Sequence, residues 1–80
     1  MANTLWQLNR GESAVLDAFA EDFSPVYRDR MMELGFHPGA LVSCVVAPRM
    51  GAPKLFKVDN AVYSLEKAIA SLITVQGASV

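Results

Sequence analysis

Ser24-Pro25-Val26-Tyr27-Arg28-Asp29-Arg30-Met31-Met32-Glu33-Leu34-Gly35-Phe36-His37-Pro38-Gly39 reads as one short helix with a start signal, a stop signal and a turn behind it. A serine ahead of the first turn accepts a hydrogen bond from a backbone N–H that has no partner inside the helix. Proline at the first helical position gives up an N–H that would be orphaned anyway. Gly35 supplies the left-handed residue on which helices commonly stop. The spacing therefore predicts a helix over Pro25–Leu34. Tyr27, Met31 and Leu34 recur at i, i+4 and i+7, which predicts one apolar stripe facing a core. Arg28, Asp29 and Glu33 fall away from that stripe. A helix under three turns is marginal in isolation, so it must dock on a sheet.

The flanking sequence supplies that sheet. Upstream, Arg10-Gly11-Glu12 is a turn signal, and residues 13–20 read as a strand with Ala14, Leu16 and Ala18 on one face. Residues 1–10 read as an extended lead-in anchored by Leu5, Trp6 and Leu8. Downstream, residues 41–47 are apolar on both faces, as a central covered strand is. The docked helix is expected to cover one of those faces. Pro48, Gly51 and Pro53 mark a loop. Lys54–Val58 and Ala61–Leu65 then form a hairpin about Asp59-Asn60, two residues that tolerate positive φ. Residues 66–70 make one helical turn, residues 71–76 a last strand, and residues 77–80 fray. Short strands with frequent turn residues predict a small β-barrel of about five strands with one inserted helix, in a single domain whose core spans about residues 11–76. A barrel also removes the free edges that a small open sheet exposes.

Composition narrows the function. Seven basic residues against eight acidic ones form no basic block, so the electrostatic footprint of nucleic-acid binding is missing. Cys44 is the one cysteine, which rules out an intramolecular disulfide and suits a reducing compartment. No apolar run reaches the ~18 residues of a membrane span, and residues 1–10 lack the basic start and apolar stretch of a signal peptide. A cytoplasmic protein with no direct membrane insertion is expected.

Catalytic and metal chemistry find little purchase. A structural zinc site needs four Cys or His ligands, and this chain has one of each, His37 in a turn and Cys44 in a strand. Weak binding through either is the most that this pair offers. A thiol in an apolar strand is inert. Ser13, Ser24, Ser43 and Ser64 lack a G-x-S-x-G setting, and no glycine-rich loop precedes a helix. No catalytic residue, metal ligand or cofactor site is assigned, and an enzyme is not expected. Two features suit contact with another protein instead. One is Arg28 beside Met32 on the helix, since methionine adapts to varied partners. The other is Met50 at the tip of the Arg49-Met50-Gly51-Ala52 loop.

These residues resemble a known family. The run from Tyr27 to Gly39 is similar to the signature of the FeoA family, ferrous iron transport protein A: an amphipathic helix closed by Leu34-Gly35 and followed by the Pro38-Gly39 turn. Gly51 and Pro53 resemble the family's Gly-x-Pro turn, residues 62–65 its next strand, and Leu72-Ile73-Thr74-Val75 its closing strand. Glu66-Lys67 departs from the basic residues often found at that point. The resemblance implies an SH3-like barrel. It also implies a cytosolic, non-catalytic accessory role in ferrous iron uptake, docking on and modulating the FeoB membrane transporter, with self-association as a further contact. Family-level transition metal ion binding finds no ligand set here, which also disfavours direct iron storage or delivery. The alternative is a regulatory domain like the SH3-like domain at the C-terminus of iron-dependent transcriptional repressors.

Overall fold

The computed structural model describes residues 3–76; the fraying expected of residues 77–80 lies outside them. The elements in chain order are one turn of 3-10 helix at Leu5–Gln7, β1 (Ser13–Phe19), α1 (Pro25–Leu34), β2 (Leu41–Val46), β3 (Lys54–Val58), β4 (Ala61–Leu65), α2 (Lys67–Ala70) and β5 (Ile73–Val75). The strands form one antiparallel sheet in the order β4-β3-β2-β1-β5. β1 is shared between its two ends: residues 13–15 pair with β2, and residues 16–19 pair with β5. That division curls the sheet around a single cluster containing Leu5, Leu16, Phe36, Val42, Phe56 and Ile73. β4 and β5 do not pair with each other among the described residues, so the barrel stays open along that seam.

The helix forms where the sequence places it. Ser24 Oγ accepts the Tyr27 N–H at 3.4 Å, and Pro25 fills the first position. Gly35 ends the helix at φ 115, with its N–H donating to Met32 O at 3.1 Å. Glycine is favoured there because a side chain at that φ is strained. The hairpin also matches: Val58 pairs with Ala61, and Asp59 and Asn60 take φ 52 and 67, as a type I′ turn demands.

Four expectations need correction. The predicted stripe is rotated. Met31 is buried, whereas Tyr27 and Leu34 are exposed and Arg28, Met32 and Gly35 are half-buried. Ala18 is also exposed, because the β1–β5 register shifts between Leu16 and Ala18. That irregularity turns Phe19 inward, where it meets the Phe23 ring edge-on at 4.9 Å. The outer face of β2 is not fully covered: Leu41 remains 61% exposed. The lead-in is not extended. Residues 5–7 wind into the 3-10 turn, which buries Leu5 and Leu8.

Candidate docking surface

The side chains singled out in the sequence do not converge on one spot. Arg28 and Met32 are half-buried on the flank of α1. The Arg28 Nε lies 3.7 Å from Asp29 Oδ1, a surface contact worth under about 1 kcal/mol. Met50 projects from the β2–β3 loop with 99% exposure, held at φ 68. His37 is exposed in its turn, with Nδ1 3.2 Å from Pro38 O. Cys44 is buried in the core, so the single histidine and the single cysteine occupy different environments. No cluster of three or more His, Cys, Asp or Glu exists among the described residues.

Burial pushes the Cys44 thiol above its ordinary value, with the Lys54 charge acting in the opposite direction. A buried, protonated thiol is a poor nucleophile. Ellman's reagent is therefore expected to leave Cys44 unmodified in the folded protein at pH 8 and to label it on denaturation. The sign of the linkage follows. Folding favours the protonated thiol, so its contribution is complete below the thiol's ordinary pKa and is lost as pH rises through the raised native value. Rapid labelling without unfolding would contradict this burial.

The surface that sequence reasoning missed is the outward side of α1. Val26 is 74% exposed, and Tyr27 and Leu34 are 41% exposed each. Helical geometry puts Val26, Arg30 and Leu34 in line at i, i+4 and i+8, with Tyr27 beside them. Tyr27 is steadied from below, since its ring stacks on buried Phe23 at 5.8 Å. A small domain exposes single apolar residues freely, and α1 exposes three on one short element. The signal was present as an unused line, because Val26 did not fit the stripe built on Tyr27, Met31 and Leu34. A groove of about 530 Å³ lies between the His37 turn, Leu41 and Ser43 of β2, Lys57 of β3 and the Asp59 turn. It presents charges of both signs.

A second residue that periodicity could not reveal is Lys54. Its Nζ donates to Trp6 O at 2.6 Å and Leu8 O at 2.8 Å, and it sits 4.8 Å from the Trp6 ring centroid. The 3-10 turn is thereby tied to the start of β3, on the far side of the sequence.

Comparison with known proteins agrees with this architecture. The FeoA domain family model matches residues 3–77. The structure of Stenotrophomonas maltophilia FeoA complexed with zinc, described as an SH3 domain protein, is 30% identical, with a TM-score of 0.80 over 94% of this chain and 91% of that one. The FeoA protein of Chlorobium tepidum is 26% identical, with a TM-score of 0.80 over 90% of this chain and 67% of that one. A manganese-dependent transcriptional repressor shares the fold at 17% identity, with a TM-score of 0.76 over 90% of this chain and 39% of that one. No curated protein sequence matches the chain. No helix among the described residues is long and apolar enough to cross a membrane.

Proposed function

The chain belongs to the FeoA family, which is linked to ferrous iron transport, and from that premise we propose that it is a non-catalytic cytoplasmic accessory protein that docks on an FeoB-type membrane transporter and modulates it. The observation that carries this reading is the outward side of α1, where Val26, Tyr27 and Leu34 stay exposed on the element that bears the family signature. Arg28 and Met32 are half-buried on the other side of the same helix, and Met50 offers a separate exposed contact at the tip of the β2–β3 loop. Docking by such a small apolar surface gives a weak, reversible complex, as suits modulation.

Pull-down of the transporter's purified cytosolic part by the chain tests the proposal. Retention by the wild type and its loss in Met50→Asp combined with Val26→Asp support docking. Failure of the wild type to retain the transporter at high micromolar concentration contradicts it. The shared fold with a repressor favours one rival, a regulatory domain working beside a DNA-binding portion. A coding segment for such a portion fused upstream of this chain would favour that rival over the adaptor.

A further inference from the structure

We propose that Met50 is an anchor, held out by a strained turn, that enters an apolar pocket with an acidic rim on the protein partner. The inference rests on the docking role above and names the chemistry of the receiving site. Two observations meet on this one side chain. Met50 is the most exposed large apolar residue among the described ones, at 99%. It is also held at φ 68, with Gly51 beside it at φ 74. The Ala52 N–H donates to Arg49 O at 3.5 Å, so Met50 and Gly51 are the central residues of a tight turn with left-handed backbone at both, the pattern of a type I′ turn. Glycine, asparagine and aspartate suit such positions, and the Asp59-Asn60 turn of the same sheet uses two of them. Methionine does not, because its Cβ crowds the backbone at that φ. Folding alone thus favours a different residue at position 50 on two counts, solvation and backbone conformation. A residue seated against both points to a functional contact.

The loop around it defines the partner. Residues 46–53 hold no acid and one base, Arg49, and the rest are apolar residues or glycine. Lys54, next along, is turned inward to Trp6 O and Leu8 O. Glu66 follows Leu65, which pairs with Lys54 at the base of the loop, away from its tip. The tip therefore presents a flexible apolar side chain beside one cation, and its complement is an apolar pocket with a carboxylate at the rim. One methionine and one arginine are too little for lasting attachment to a bilayer. On a second copy, the groove beside Leu41 carries Lys57, which would face Arg49.

Thermal melts and fluorescence anisotropy on the same variants test this. The binding probe is the purified cytosolic part of an FeoB-type transporter. Met50→Gly and Met50→Asn are expected to raise the thermal midpoint by about 2–6 °C and to weaken binding about tenfold. Met50→Ala is expected to weaken binding as much without that rise, because it keeps a Cβ at positive φ. Met50→Leu is expected to retain most of the affinity, and Arg49→Glu to lose more of it than Arg49→Lys. A gain in stability joined to a loss of binding is a pairing that an idle or purely structural side chain does not give. Undiminished binding by Met50→Gly, Met50→Asn and Met50→Ala overturns the anchor and leaves the docking role intact. A wild type that does not bind refutes the docking role and the anchor with it. A midpoint that Met50→Gly and Met50→Asn leave unmoved or lowered contradicts the strained turn and overturns the anchor whatever the binding. So does a dimer in sedimentation equilibrium, or binding to phosphatidylserine vesicles, that Met50→Gly abolishes.

Discussion

Phe36→Ala is expected to cost about 3–5 kcal/mol of folding stability, the usual range for emptying a buried aromatic site. Phe36 has no solvent exposure, and its ring meets Tyr63 of β4 edge-on at 5.6 Å. It follows the Gly35 stop directly, so one side chain fixes the end of α1 against the β3–β4 hairpin. An 80-residue domain has roughly 4–12 kcal/mol in total at the usual stability per residue. The loss therefore consumes much of that margin, and urea denaturation is expected to show a large fall in midpoint or no folded baseline. A loss below about 1 kcal/mol would mean that the space collapses easily, against the packing seen here.

Lys54→Ala is expected to cost about 2–3 kcal/mol, from two charge-assisted hydrogen bonds to carbonyls that are then left without their donor. The Trp6 O and Leu8 O acceptors close the end of the 3-10 turn, and the ring contact with Trp6 adds to the loss. Trp6 gives a convenient signal, since its fluorescence is expected to shift to the red as the lead-in loosens. Lys54→Arg is expected to keep part of the stability, because a guanidinium reaches the same carbonyls with different geometry. Equal thermal midpoints for the wild type and Lys54→Ala would contradict the latch.

The contrast between these residues shows what a single sequence can reveal. Ser24, Pro25, Gly35, Asp59 and Asn60 act through their own backbone conformation, so their roles are legible from residue type and neighbours alone. The α1 bounds and the hairpin register follow from them. Lys54 works differently, because its partners lie 48 and 46 positions away and no periodicity links them. The burial of α1 failed for a related reason. Periodicity says that a helix has an apolar line, but the angle at which it sits on the sheet is set by distant contacts. Here those contacts bury Met31 and leave Val26 and Leu34 outside. The β1 irregularity also depends on a partner strand, β5, far along the chain. The surface proposed for docking was thus half legible: the bounds of α1 were, and the side of it left exposed was not.

Amide shift mapping gives the most direct test. The ¹⁵N-labelled chain is titrated with the unlabelled cytosolic part of an FeoB-type transporter, and each backbone amide is followed. Docking through α1 predicts perturbations concentrated on Val26, Tyr27, Arg30 and Leu34, with a second group at Met50. Perturbations confined to the groove around Leu41 and Lys57, or a spectrum unchanged at saturating transporter, would contradict it.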